Sequence, residues 1–425
     1  MNKLQLTSTI ALAGLCLTGA AYAQETPSVE EMWKIIQEQQ AQIADLQTQL
    51  EVAQQDAAET QSQVQLTQTE LIETQEQLDM TVSAVEDGLI GGEGSGETGW
   101  FQNTSLGGYG ELHANFFPKA SNEIDFHRFV LFVNHEFTEN IRLFSEIELE
   151  HALAGDGKPG EVELEQAFIQ FDVTDQLAAN VGLYLLPVVG LNEYHEPTTF
   201  YGVERNGVDV RIIPTTWWEG GVMGTYRFDN GVAVDASVSS GLNINPLVGN
   251  IRSGRQKVAE AVLNDAAYTA RVRYTGIPGL DLGASLYYQN DMAQTSSAKV
   301  SGLLSAFYGQ YTWENITLKA QYARWDLWGS ALPESAKEQW GTYIEPSYIF
   351  DLDSFGELGI FYRFSYYEYQ KNALTFSKNT INQVGFNYWP IPDVVLKADV
   401  EEVSGADDFV AKGDYAVNLG IGFVF

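Results

Sequence analysis

From residue 104 to the final residue, Phe425, apolar side chains fall on alternate positions, in segments broken by Gly, Pro, Asn and Asp. A period of two sends successive side chains to opposite faces of a strand. The last residues show it plainly: Leu419, Ile421 and Phe423 share one face, and Asn418, Gly420 and Gly422 the other. Strands are predicted near 104–117, 123–137, 141–153, 161–173, 177–189, 217–229, 232–243, 265–276, 280–291, 301–314, 316–328, 340–351, 357–370, 378–391, 394–405 and 415–425, sixteen in all.

The breaks alternate in length. Those after even-numbered strands are mostly tight, as at 138–140, 174–176, Asn230-Gly231 and Pro392-Asp393. Those after odd-numbered strands run longer, as at 154–160, 190–217 and 242–264. Short turns at one end and long loops at the other are the build of an outer-membrane barrel. The two faces of a strand also differ in chemistry. In 141–153, Leu143, Ile147 and Leu149 oppose Arg142, Glu146, Glu148 and Glu150. In 217–229, Trp218, Val222, Tyr226 and Phe228 oppose Glu219, Thr225 and Arg227. One face suits lipid and the other a water-filled lumen. The expected fold is all-β: a 16-stranded antiparallel transmembrane β-barrel over 101–425, preceded by an N-terminal α-helical coiled coil.

Upstream the period changes to seven. Val29, Ile36, Ile43, Leu50, Ala57, Val64, Leu71, Leu78 and Val85 form one unbroken apolar series, opened by a Ser28/Glu31 capping box. A helix with one apolar stripe needs a cover, so the 24–87 segment is expected to self-associate in the periplasm or meet a partner there. Residues 88–100 read as a Gly-rich linker. Residues 1–23 carry Lys3, an apolar run from Ile10 to Leu17 and the Ala21-Tyr22-Ala23 cleavage pattern, which is a secretory signal peptide. The one cysteine, Cys16, falls within it, so no disulfide or Cys-based metal site is expected in the mature chain.

The formal net charge of −34 argues against nucleic acid as a partner. Outer-membrane lipids are the expected surroundings. A sixteen-stranded barrel leaves a channel, so function turns on what lines it. Arg128, Arg142, Arg227, Arg271, Arg273, Lys319 and Arg363 fall on lumen-facing registers, together with Glu146, Glu148 and Glu219. The 190–217 connection is too long for a simple link. It carries Glu193, His195, Glu196, Glu204, Arg205, Asp209 and Arg211, mixed charges of the kind that set a field at a constriction. His195-Glu196 lacks the second His of a zinc-protease motif, and no nucleophile motif stands out. Neither an enzyme nor a cofactor is expected.

The runs FSEIELEHALAGDGKPGEVELEQAFIQFD (144–172) and GLYLLPVVGLNEYHEPTTFYGVERN (182–206) resemble the porin O/P-type superfamily. The resemblance implies a homotrimeric channel whose third outer loop, here 190–217, forms an eyelet in the lumen. Phosphate-selective members rely on rows of Arg and Lys, whereas the matching loop here offers Arg205 and Arg211 among acids. The expected function is passive diffusion of small hydrophilic solutes or ions. The alternatives are an anion- or phosphate-selective pore and a barrel-anchored envelope tether.

Overall fold

The computed structural model describes residues 100–425 except 296–297 and 406–412, with six helical positions further upstream, Glu30, Trp33, Lys34, Gln37, Gln40 and Gln47. The signal peptide, the rest of the predicted coiled coil and the linker up to Gly99 lie outside the described residues. The chain divides into two compact units, Met1–Gly99 and Trp100–Phe425.

The second unit is a closed barrel of antiparallel strands. In chain order they are β1 (Thr104–Phe116), β2 (Glu123–Thr138), β3 (Ile141–Glu150), β4 (Val162–Asp172), β5 (Leu177–Leu185), β6 (Trp218–Arg227), β7 (Val232–Ser239) and β8 (Ala267–Tyr274). They continue as β9 (Leu280–Gln289), β10 (Ser301–Trp313), β11 (Ile316–Trp328), β12 (Glu338–Asp351), β13 (Glu357–Asn372), β14 (Thr375–Ile391), β15 (Val394–Gly405) and β16 (Tyr415–Val424). Each strand pairs with its neighbours in sequence, and β16 returns to β1.

That seam is formed by backbone pairing along β16, from Val417 to Val424. Tyr109 pairs with Val424, Leu112 with Ile421 and Phe116 with Val417. Phe425 donates its N–H to the Gly108 carbonyl at 2.9 Å and accepts the Gly108 N–H at 2.9 Å. A closed sheet leaves no open edge, which is what a hydrocarbon environment demands of backbone groups.

The outward face is apolar. Val417, Leu419 and Ile421 on β16 and Val384 and Phe386 on β14 are all exposed. Aromatic side chains collect near the tight-turn end, among them Phe137, Phe171, Phe228, Trp313, Phe350 and Phe425, as in an interfacial girdle. No described helix is long and apolar enough to cross a membrane, so any crossing is made by strands. Val384 lies near the middle of β14 and is 57% exposed. Replacing it with Arg should cost about 2–4 kcal/mol, the depth-dependent penalty of a charge on a lipid face. Unfolding titrations in vesicles would read it; an unchanged midpoint would mean this face does not meet lipid.

Two strands end four residues earlier than the alternation predicts, β5 at Leu185 rather than 189 and β7 at Ser239 rather than 243. The reason is physical. Leu186, Val188 and Val189, and later Leu242 and Ile244, leave the wall and turn into the barrel, where they are buried. Alternation carries on in sequence, but the partners become side chains of the lumen rather than a ladder of backbone bonds.

Candidate constriction site

The inside of the barrel is not uniformly wet. Leu186, Val188, Val208, Ile212, Ile213 and Trp217 pack with Tyr287 and Trp325 from the wall into one apolar cluster. The Trp217 ring lies 4.8 Å from Tyr287 and 6.1 Å from Trp325, centre to centre. Polar tips within the cluster are satisfied: the Trp325 indole donates to the Ile212 carbonyl at 2.9 Å and the Trp217 indole to Glu219 at 2.9 Å.

This cluster anchors the 186–217 connection. Asn192 ties its two ends together, donating to the carbonyls of Leu186 (2.9 Å) and Trp217 (3.0 Å) and accepting the Trp217 N–H (2.8 Å). From that noose the segment reaches walls on every side. Val189 N–H donates to Ser285 of β9 at 3.1 Å, and Gln321 of β11 donates to Asp209 at 2.8 Å. Arg363 of β13 and Asn387 of β14 donate to the carbonyls of Tyr201 (2.6 Å) and Phe200 (2.9 Å). Lys397 of β15 donates to the Gly202 carbonyl at 2.9 Å, and Val203 N–H to Asp399 at 2.7 Å. Glu204 meets His113 of β1 at 3.0 Å. A segment that touches β1, β9, β11 and β13–β15 of one closed cylinder runs inside it.

Inward-facing glycines make the room. A Cβ on Gly422 would stand 2.4 Å from Pro197, and one on Gly420 3.1 Å from Val203. The small face of the last strand is therefore the seat of the inner segment, as well as a consequence of strand alternation.

The segment separates two cavities. One, about 550 Å³, opens toward the long-loop end and is lined by Glu111, His113, Arg128, Glu204, Arg205, Arg211 and Arg252 among others. The other, about 300 Å³, lies toward the tight-turn end and is lined by Glu193, Tyr194, Arg271, Arg273, Asp281 and Lys319 among others. The sequence-predicted residues divide between them. Arg128 pairs with Glu111 at 2.8 Å and Glu148 at 3.4 Å. Arg271 is held by Asp235 at 2.7 Å and by Glu193, and Arg273 by Asp281 at 2.7 Å. Arg363 and Glu345 form a buried ion pair.

Other predicted residues do not face open space. Asp209 is fully buried, and burial raises its carboxyl above the usual range despite hydrogen bonds from Gln321 and Asn206. Glu219 is sealed beneath the apolar cluster, bonded to Trp217 and Ser240. Arg142 and Arg227 sit at the tight-turn rim, with Asp172 beside Arg142. His195 is buried against Glu146 at 3.6 Å and Glu165 at 3.7 Å; burial opposes its charge, but the two carboxylates outweigh that and lift the imidazole to about 9. Glu196 is half-buried next to it.

Arg205, Arg211 and Arg252 differ from the paired cations. Arg205 donates to Thr216 and to the His195 carbonyl, both at 3.3 Å. Arg252 donates to the carbonyls of Val210 (3.2 Å) and Thr215 (2.8 Å), and Arg211 lies over the Tyr369 ring at 5.7 Å. Among the described residues no carboxylate lies within ion-pair distance of any of the three, so none is locked in a direct pair beside the larger cavity, although Glu111, Glu150, Glu204 and Glu401 line the same space. Arg252, with Arg255, comes from the 240–266 connection, which sequence reasoning left as an ordinary loop. Glu165 was also missed. The signal for it was present: Glu161, Glu163 and Glu165 alternate just as Glu146, Glu148 and Glu150 do, and the two strands are paired.

Glu204 gives a pH prediction. Burial alone would raise its carboxyl, but His113 pulls it down to about 2 from an ordinary 4.5. A depressed carboxyl stabilises the fold fully above its unfolded value and loses that contribution as pH falls toward the folded one. The stability gap between the native chain and Glu204→Gln should be largest near pH 5 to 6, shrink below about 4.5 as Glu204 takes up a proton, and shrink again on the alkaline side as His113 gives up its own. A gap that grows below about pH 4.5 would contradict this.

A closed sixteen-stranded barrel with an inward-folded segment after β5 is the architecture of porin-type outer-membrane barrels. Solved structures agree on the fold. OmpF of Salmonella typhi, in complex with daunomycin, aligns with a TM-score of 0.53 and 14% identity, covering 76% of this chain and 97% of that one. An anion-selective porin from Comamonas acidovorans aligns at 0.52 and 12% identity over 76% and 99%. A trimer form of OmpT, an outer-membrane protein of Vibrio cholerae, aligns at 0.51 and 12% identity over 76% and 99%. No family profile matches the sequence. The chain belongs to the same family as an uncharacterised protein of Aquifex aeolicus (strain VF5), with 30% identity over 334 residues, 70% of this chain and 75% of that protein.

Proposed function

We propose that the protein is an outer-membrane porin through which small hydrophilic solutes or ions diffuse passively, narrowed by the 186–217 segment. The observation that carries this reading is that segment's place inside a closed barrel, with ionised groups on a cavity to either side. Passive flux needs a wet path and a local field that sorts solutes by size and charge, without chemistry at a catalytic centre. The porin-type fold of the solved neighbours supports the membrane setting, and the resemblance to the porin O/P-type superfamily supports the role of the inner loop. A homotrimer fits the trimeric neighbour. The coil would lie in the periplasm, where it could tether the envelope.

An anion preference is the second reading, favoured by Arg205, Arg211 and Arg252 and their lack of carboxylate partners. It stands against a whole-barrel balance in which 41 acidic residues from Trp100 onward outnumber 21 basic ones. Exposed charges beyond a Debye length of about 8 Å are largely screened, so the groups on the cavity itself decide, and there the arginines share the lining with Glu111, Glu123, Glu150, Glu204 and Glu401. Planar-bilayer recordings in a salt gradient test both readings. No conductance would remove the pore, and a cation-directed reversal potential would remove the anion preference.

A further inference from the structure

Glu146 of β3, Glu165 of β4 and His195 of the inner segment converge at one buried point, each no more than 2% exposed. Their nearest ligating atoms all lie within 4.8 Å of one another. The His195 Nε2 stands 3.6 Å from Glu146 Oε1 and 3.7 Å from Glu165 Oε2. Those separations are too long for hydrogen bonds. Accordingly His195 Nε2, His195 Nδ1 and Glu165 Oε2 are buried without a hydrogen-bond partner. Buried polar atoms are almost always satisfied, so the two orphans that face each other here, His195 Nε2 and Glu165 Oε2, call for an explanation.

A cation between them supplies one. Ligands about 2.1 Å from a tetrahedral centre stand about 3.4 Å from each other. The observed spacings exceed that by only a few tenths of an ångström. We propose that Glu146, Glu165 and His195 form a binding site for a divalent transition-metal ion of the zinc type. One imidazole and two carboxylates suit such an ion better than calcium or magnesium, which take more oxygen ligands and no nitrogen. Two carboxylates balance its charge. The outer contacts are in place for Glu146: Gln166 donates to its other oxygen at 2.6 Å, and the Tyr109 hydroxyl lies 3.4 Å from Oε1. Because His195 belongs to the inner segment and the carboxylates to the wall, the ion would clamp that segment to β3 and β4. The site does not depend on whether the pore conducts.

Asp125, His127 and His151 form a second cluster, partly exposed. Its members already bond to one another and to Arg128: His151 meets Asp125 at 2.7 Å and Arg128 meets His127 at 2.8 Å. That cluster has no orphaned atom and serves as the control.

The test uses full-length protein folded in detergent, stripped with a chelator and titrated with Zn²⁺ at neutral pH. One equivalent should bind, raise the thermal midpoint, and give an X-ray absorption signature of one imidazole nitrogen and carboxylate oxygens. Glu165→Gln and His195→Gln should each weaken binding by at least about 100-fold, more than is usual for loss of an outer-shell contact. His151→Gln should leave affinity unchanged. Near-UV circular dichroism establishes that each variant is folded, and Glu165→Gln, which keeps the side-chain shape, decides if His195→Gln fails to fold. No binding to the native chain would overturn the proposal and leave His195 as an imidazolium between two carboxylates. Binding lost only in His151→Gln would overturn it in favour of the second cluster.

Discussion

Replacing Arg205 and Arg211 by alanine, with Arg252→Gln added, is expected to move the reversal potential toward cation preference. The chloride-to-potassium permeability ratio should fall by about tenfold, equivalent to about 1.4 kcal/mol. That is modest beside the interaction of two unit charges 4 Å apart at an effective dielectric of 20, about 4 kcal/mol. The expected value is smaller because the cavity is hydrated and salt screens it. Arg128, Arg271 and Arg363 are poor controls for charge alone, since each is locked to a carboxylate and its removal would strand a buried anion. The three unpaired arginines can be removed without that penalty. An unchanged reversal potential, with native thermal stability, would mean that these side chains do not face the permeation path.

Trp217→Ala carries the largest expected structural effect. The side chain is fully buried and packs at a tilt against both Tyr287 and Trp325. Truncating a large buried aromatic costs about 3–5 kcal/mol through lost contacts and the cavity left behind. Here the loss falls at the root of the inner segment, where Asn192 joins both ends. The thermal midpoint should drop, and single-channel conductance should rise and become noisier as the segment loosens. Val384→Arg, on the outer face, should destabilise without altering conductance. If Trp217→Ala lowered stability and left the current trace untouched, the inner segment would not set the narrowest point.

The barrel was legible because its signal is local and repeated. Alternation fixes faces, turn chemistry fixes ends, and every strand repeats the message, so the predicted strands recur within a few residues of the observed ones. Arg128, Glu146 and Glu148 were placed on the inward face by parity alone, and they lie there. The interior was less legible. Parity says that Glu219 points inward, but not that Ser240 and Trp217 seal it off. Asp209 looked like a constriction charge, yet Gln321 and Asn206, far apart in sequence, enclose it. The Gln321–Asp209 contact joins residues 112 positions apart, and none of these contacts leaves a periodic trace. Inward glycines were the available clue: Gly422 and Gly420 read as mere fillers between apolar residues until Pro197 and Val203 are seen against them.

The inner segment also spans the place where the cylinder closes. Glu204 holds His113 and Asn115 on the first strand, while Gly202 and Val203 hold Lys397 and Asp399 two strands away on the other side of the seam. The last strand lies between those grips, with Asn418 bonded to Asn115, Asp399 and Glu401. A zipper whose two sides are sewn to a common lining cannot part from one side alone. The seam of this barrel is thus latched from within.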